Sequence, residues 1–89
     1  MILDDLRLQN EILKYLYERV DDVVGYIDVI HALSNDDDDM EDQIDRQLAI
    51  LKRKDLILFS FADVFILRVK LTGKGCEEAE SILVQEALA

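Results

Sequence analysis

The chain has 89 residues, of which 51% are hydrophobic and 34% charged, and its formal net charge is −10. This length suits one domain with one core, and the apolar content is too high for a disordered chain. No apolar run approaches the roughly 20 residues of a membrane-spanning helix. We therefore predict a single domain over residues 1–89 that does not enter a membrane.

Scarce cysteine and histidine narrow the chemistry that the chain can support. Cys76 is the only cysteine and His31 the only histidine, so neither an internal disulfide nor a zinc ligand set is available. The first five residues lack the basic region and apolar core of a secretion signal. These features predict a reduced, cytoplasmic setting. They also predict a protein that is not an enzyme and binds no metal or cofactor.

The first helix is predicted over residues 3–20, where polar residues form one narrow stripe and most of the circumference is apolar. This apolar face is roughly twice as wide as the ~100° that a surface helix needs. Two interpretations are open: the helix is central to the core, or part of it faces a second subunit. The second predicts a homodimer, formed with help from the last helix through Leu6, Leu8, Ile12, Tyr15 and Leu83.

Two further helices are predicted before residue 55. A short extended piece at residues 23–25 leads into a helix over 26–33, whose core residues are predicted to be Ile27, Ile30 and Leu33. The third helix spans residues 40–54 and carries Ile44, Leu48 and Leu51 on one face. Acidic residues near its start and basic residues at its end both suit the helix dipole.

The last third of the chain is predicted to form a hairpin and a final helix. Residues 56–61 and 64–71 have the composition of strands, and the second alternates. It is expected to place Phe65, Leu67, Val69 and Leu71 on one face and Arg68 and Lys70 on the other. Thr72 is predicted to cap the final helix by accepting from amides of its first turn. The buried stripe of that helix is predicted to be Ala79, Ile82, Leu83 and Ala87.

Two local patterns resemble winged helix-turn-helix transcription regulators, most of all the small PadR-like and MarR-like ones. One is residues 44–57, where a recognition helix runs into a strand, and the other is Leu71-Thr72-x-Lys74-Gly75. The resemblance implies an α+β, mostly helical winged helix with three helices, a two-stranded wing and a C-terminal helix. It also implies a non-catalytic, dimeric regulator whose third helix enters the major groove of double-stranded DNA.

The implied docking selects candidate DNA contacts. On the third helix, the side chains able to bond base edges are Gln43, Arg46 and Gln47. The candidates for phosphate contact are Lys52, Arg53, Lys54, Arg68 and Lys70, with Lys74 beside them. The preferred interpretation of the basic group is simpler: compensation of the helix dipole and solvated strand positions. The chain also departs from the family pattern, since Asp55 replaces the usual glycine and the wing tip carries no base.

The start of the third helix is strongly acidic, because residues 36–45 hold seven acids and no base. An acid ~6 Å from a phosphate is repelled by about 0.7 kcal/mol in bulk water, which disfavours DNA here. Three interpretations remain open: a solvated turn, a protein-binding or DNA-mimicking surface, and a calcium or magnesium site, the last lacking the glycine that such loops need. The second gives the alternative function of a protein-binding adaptor or inhibitor, through Asp36, Asp37, Asp38, Asp39, Glu41 and Asp42.

Overall fold

The computed structural model describes residues 4–88, which form four helices and three strands. In chain order these are α1 (Asp5–Glu18), β1 (Val24–Gly25), α2 (Tyr26–Ser34), α3 (Asp38–Arg53), β2 (Ile57–Ala62), β3 (Phe65–Leu71) and α4 (Gly73–Leu88). The predicted α+β arrangement of three helices, a hairpin and a last helix is confirmed. Residue 3, the predicted start of α1, lies outside the described part. Within that part, no helix combines the length and apolar character needed to cross a bilayer.

Helix α1 lies at the centre of the core, as the first of its two interpretations predicted. It begins after Asp4, whose carboxylate accepts from the backbone N–H of Arg7 at 2.8 Å. Leu8, Ile12, Leu13 and Leu16 are buried against α2, α3, α4 and β3. Since Leu8 and Ile12 are 1% and 0% exposed, their assignment to a dimer interface is wrong: their surface is already used by the chain's own core. Leu6, Tyr15 and Leu83 keep accessible surface, and for them the interface stays a prediction.

Polar contacts fasten α1 to α4 along their exposed sides. Lys14 forms ion pairs with Glu11 and Glu86, both at 2.9 Å. The hydrogen bond to Glu11, followed by that to Glu86, raises the pKa of Lys14 above its ordinary 10.5. Tyr17 donates to Glu80 at 2.9 Å, and this bond raises the pKa of the phenol. Exposed contacts of this kind add little stability each, and they fix how the two helices lie against one another.

Helices α2 and α3 pack on α1 through a core that includes one polar pair. Ile44, Leu48 and Leu51 are fully buried, as predicted. Between them Gln47 is also buried, and its Oε1 accepts from Nε2 of Gln9 on α1 at 2.7 Å. A buried amide without such a partner costs about 1–3 kcal/mol, so each glutamine requires the other. On α2 the buried residues are Tyr26, Val29, Ile30 and Ser34.

One core prediction for α2 is wrong. Ile27 is 55% exposed, because the side of α2 that meets α3 and β3 runs through Tyr26, Val29 and Ile30 instead. Tyr26 and Ile27 are adjacent in the chain, and successive residues of a helix lie about 100° apart on its surface. Because Tyr26 faces the core, Ile27 faces the solvent.

The sheet has three strands in the order β1-β3-β2, rather than the two of the predicted hairpin. The additional strand is β1, whose Val24 and Gly25 pair with Val69 and Arg68 of β3. All pairs are antiparallel. The extended piece predicted at residues 23–25 is thus confirmed, and it joins the base of the wing to the start of α2.

A bulge changes which residues of β3 face the core. Ser60 pairs with Arg68 but Phe61 pairs with Ile66, so Leu67 is an extra residue on β3. An extra residue reverses the alternation of side chains beyond it. Val69 and Leu71 are buried as predicted, whereas Phe65 and Leu67 are exposed, which makes their placement on the buried face wrong. Ile66 packs against the core in their stead.

The start of α4 is set against the end of α3 by Thr72 and Gly75. Thr72 Oγ1 accepts from the N–H of Gly75 at 2.9 Å, which confirms the predicted cap, and donates to the carbonyl of Asp55 at 2.6 Å. Gly75 lies so close to the backbone of Leu56 that an added Cβ would come within 1.9 Å of its carbonyl oxygen. On the buried side of α4, Ala79 and Ile82 are enclosed and Leu83 is half-buried, but Ala87 is exposed, contrary to prediction.

Candidate nucleic-acid interface

A tight turn joins α2 to α3. Asn35 and Asp36 both adopt left-handed backbone conformations, with φ of 52° and 63°. Asp37 then caps α3, since its carboxylate accepts from the N–H groups of Asp39 and Met40 at 2.9 and 3.3 Å. Tyr26 at the start of α2 donates to Asp45 on α3. This is a helix-turn-helix unit, and two of the acidic residues in it serve the fold directly.

Of the three predicted base-reading residues, the structure leaves one exposed to solvent. Arg46 is exposed on the outer face of α3, and Gln43 is half-buried. Gln47 is 1% exposed and bonded to Gln9, so its assignment to base contact is wrong. Its position, three residues after Ile44 and four before Leu51, is that of a core residue.

The outer face of α3 changes sign along its length. Its exposed charged residues in the first two turns are all acidic, and those in the last half are all basic: Asp38, Asp39, Asp42 and Asp45, then Arg46, Lys52 and Arg53. At 1.5 Å per residue, Asp42 and Lys52 are about 15 Å apart along the axis. The two halves of this face therefore attract ligands of opposite charge.

The structure divides the remaining predicted cations into two groups. Lys54 Nζ donates to Oε1 of Gln9 at 2.9 Å, and Lys74 Nζ donates to the Lys54 carbonyl at 3.2 Å. Lys54 is thereby engaged in the polar chain that ends at Gln47. Arg68 and Lys70 lie elsewhere, on the outer face of β3 opposite Ser60 and Leu58. Across residues 4–88 the ion pairs involve Lys14 and Arg19, and none involves either group.

Arg68 and Lys70 share a groove with acidic residues. The groove has a volume of about 300 Å³ and lies between the segment after α1 and the outer face of β3. Asp21 and Asp22 line it together with the two bases. A phosphate approaching Arg68 or Lys70 would meet both signs of charge, which weakens these residues as phosphate contacts compared with Lys52 and Arg53.

The wing tip is apolar, a feature that the sequence reasoning missed. Phe61, Val64 and Phe65 are 58%, 79% and 72% exposed. The stretch 56–67 contains one charged residue, Asp63, at the turn between the strands. In a highly charged chain, such a scarcity of charge can indicate an exposed apolar wing tip. The expectation that the alternating apolar residues of β3 face inward assigned them to the core instead.

The acidic run is not organised as a metal site in the described part of the chain. No three histidine, cysteine, aspartate or glutamate side chains there converge as ligands. Asp36, Asp37, Asp38 and Asp39 are all exposed at the turn into α3. The run therefore forms a surface of negative charge, apart from Asp37, which caps α3, and Asp45, which accepts from Tyr26.

Comparison with solved structures identifies the fold as a winged helix. A crystal structure of a MepR mutant from a multidrug-resistant Staphylococcus aureus clinical isolate superposes with a TM-score of 0.73 at 24% identity, over 92% of this chain and 62% of that one. A structure of MepR, a transcription regulator of the S. aureus multidrug efflux pump MepA, gives 0.71 at 23% identity, over 91% and 61%. The chain thus spans somewhat over three fifths of those proteins. No protein-family model and no curated protein sequence matches it.

Proposed function

We propose that the chain is a winged-helix transcription regulator that binds double-stranded DNA as a homodimer. The observation that carries the proposal is Arg46, exposed on the outer face of α3 and followed by the exposed bases Lys52 and Arg53. The helix-turn-helix presents that face outward. A homodimer suits this function because two copies offer two such helices to a palindromic duplex.

In this proposal the second half of α3 makes the contacts. Arg46 bonds a base edge in the major groove, and Lys52 and Arg53 bond phosphates. The acidic first half is directed away from the duplex. Asp42 lies about 15 Å from Lys52 along the helix axis, which exceeds the ~8 Å screening length at physiological salt, so Asp42 weakens a phosphate contact at Lys52 only slightly.

A salt series tests this proposal directly. Binding to random-sequence duplex should weaken as salt rises, with a slope that falls by about 1 for each phosphate contact removed. Lys52→Gln and Arg53→Gln should each lower that slope, whereas Arg7→Gln, which changes an exposed base on α1 that pairs with no acid among residues 4–88, should leave it unchanged. Absence of binding at low salt, or equal effects of all three substitutions, would overturn the proposal.

A second function, binding of a basic protein, is favoured by the density of exposed acids around the start of α3. Residues 36–39, Asp42 and Asp45 are all exposed, and charge complementarity of this kind raises association rates and suppresses wrong partners. A module of this type would act as an adaptor, an inhibitor or a mimic of DNA.

One set of variants separates the two functions. Asp38→Asn, Asp39→Asn and Asp42→Asn remove charge from the start of α3 without touching the cap made by Asp37. If DNA is the ligand, each change leaves binding nearly unchanged or strengthens it slightly, because these acids face away from the duplex and salt screens their remaining repulsion. If a basic protein is the ligand, the same changes weaken its capture, while Glu77→Gln on α4, an exposed acid, serves as the control.

A further inference from the structure

We infer that Gln9 and Tyr26 are positioning residues for Arg46. Each of them holds one of the two chain neighbours of Arg46, and together they fix the direction in which the arginine leaves α3. The inference rests on the proposed function, in which Arg46 bonds a base edge. It adds two residues on other helices that determine how strictly that base is read.

Arg46 lies between two residues that are bonded to other helices. On one side, Asp45 accepts from the hydroxyl of Tyr26 on α2. On the other side, Gln47 accepts from Nε2 of Gln9 on α1 at 2.7 Å. Successive helical residues lie about 100° apart, so these two neighbours bound an arc of about 200° with Arg46 at its middle. The arginine itself is exposed and forms no ion pair in the part of the chain that the structure describes.

The chemistry of its partners determines the orientation of the Gln9 amide. Lys54 Nζ donates to Oε1 of Gln9 at 2.9 Å, and a lysine ammonium can only donate. Oε1 must therefore face Lys54, which leaves Nε2 for the oxygen of Gln47. Because Gln47 is 1% exposed, water does not replace the bond between the two amides. Both ends of the Gln9 amide are thus engaged, and this favours one arrangement of α1 against α3.

On the opposite side of Arg46, the ring of Tyr26 is itself held in place. Tyr26 is 9% exposed, and its ring packs edge-on against Phe59 of β2 with the centroids 5.7 Å apart. The ring therefore keeps the hydroxyl at Asp45. Tyr26 joins α2, β2 and α3 at one point.

These hydrogen bonds supply a direction that the apolar core does not. The core residues of α3, Ile44, Leu48 and Leu51, pack through apolar contacts, which are not directional. At a radius of about 6 Å, a rotation of the helix by about 20° moves a side chain by about 2 Å. A base contact requires a donor and an acceptor about 2.7–3.2 Å apart, so a rotation of this size disrupts a bidentate bond from Arg46.

Selection of bound sequences from a random duplex pool, followed by sequencing, tests the inference. Tyr26→Phe keeps the packed ring and removes the hydroxyl, and Gln9→Leu combined with Gln47→Leu replaces both amides by apolar side chains. Each variant should lower the preference at the base pair read by Arg46 by at least about threefold. The wild-type discrimination expected from a bidentate arginine is on the order of tenfold. The salt slope of binding should not change, because neither variant removes a cation.

A second arm separates positioning from stability. In an Arg46→Ala background the same changes should have no further effect on base preference, since the side chain that they position is gone. Ile82→Val is the matched control, because it alters a buried residue of α4 and should leave the preference unchanged. Urea unfolding checks that every variant is folded. Should the double glutamine variant fail to fold, Tyr26→Phe carries the test, as its ring packing is kept.

The outcomes distinguish this inference from the proposed function. A base preference that is unchanged in the positioning variants, or lowered equally by Ile82→Val, would overturn the inference and leave DNA binding in place. The same holds if Arg46→Ala keeps the wild-type preference. If the wild type binds no duplex at low salt, the proposed function fails and the inference fails with it.

Discussion

Replacement of Gly75 by alanine tests the close approach of α4 to the backbone of Leu56. A Cβ at residue 75 would lie 1.9 Å from the carbonyl oxygen of Leu56, 3.0 Å from its carbon and 3.1 Å from Cδ2 of Leu71. The first of these atoms belongs to backbone and also accepts from the N–H of Thr72 at 3.1 Å. Relief of the clash therefore requires α4 to move away from the end of α3 by about 1 Å or more, and this strains that hydrogen bond.

The expected cost combines three effects. Overpacking in a well-packed interior costs about 1–3 kcal/mol, and weakening one hydrogen bond about 1 kcal/mol more. The better helix propensity of alanine returns up to about 1 kcal/mol. The net loss is about 1–3 kcal/mol, compared with the roughly 5–15 kcal/mol that stabilises a small domain. It corresponds to a fall in Tm of about 4–24 °C.

Urea and thermal unfolding, followed by circular dichroism, measure the effect, and Gly73→Ala is the matched control. Gly73 is the first residue of the same helix, and a Cβ there meets nothing within 4 Å. The control should be neutral or stabilised by up to about 1 kcal/mol. If the two variants unfold at the same urea concentration, the close approach of Gly75 to Leu56 does not hold and the reasoning is refuted.

Three further predictions concern single side chains. Thr72→Ala should cost about 1–2 kcal/mol in urea unfolding because it removes the α4 cap, and Thr72→Ser should restore most of that; equal losses in both would contradict the cap. Asp55→Gly should stabilise the fold by up to about 1 kcal/mol, since Asp55 has a φ of 62°, and a loss of stability would show that its carboxylate matters more than its backbone. Because hydrogen bonding to Glu80 raises the pKa of Tyr17 above its ordinary 10.0, its contribution is present below pH 10 and lost as pH rises through the raised value. From pH 9 upward, the Tm of the wild type should therefore fall more steeply with pH than the Tm of Tyr17→Phe. Parallel curves would show that the bond to Glu80 does not contribute.

Helical periodicity was enough to place most of the α3 core. The same periodicity includes Gln47, the residue of α3 whose predicted role was wrong. Positions 44, 47, 48 and 51 form the i, i+3, i+4, i+7 pattern of a buried face. The amide of Gln47 predicts a base-reading residue, whereas its spacing is that of the core. What periodicity could not provide is its partner: Gln9 is 38 residues away in the chain, and only the fold brings the two amides together.

The strands were less accessible to prediction than the helices. Alternation in β3 correctly identified a strand, yet it assumed a regular ladder from Phe65 to Leu71. The bulge at Leu67 depends on the pairing with β2, and no local pattern in one strand reveals a mismatch with another. The same limit applies to β1, whose two residues become a strand only because β3 lies beside them.

For the candidate interface, sequence reasoning identified the acidic start of α3 and the basic residues at its end, and both lie on the exposed face as expected. It did not show that Lys54, unlike Lys52 and Arg53, is engaged in a hydrogen bond within the fold. That distinction depends on the direction of a long side chain, which turns towards Gln9 in the folded chain. The exposed wing tip was overlooked for a related reason, since an apolar strand residue is ordinarily assigned to the interior.

The pairing of β1 with β3 has a mechanical consequence for the wing. Val24 and Gly25 hold Val69 and Arg68, and α2 begins at the very next residue, Tyr26. The lower part of the wing is therefore tied by backbone pairing to the start of the helix-turn-helix. From Leu67 to the tip the hairpin has only two strands. The bulge at Leu67 is the first residue of this part, so bending of the wing should concentrate at the bulge. A load applied to Phe61 or Val64 would tilt the tip about this joint and leave the orientation of α3 unchanged.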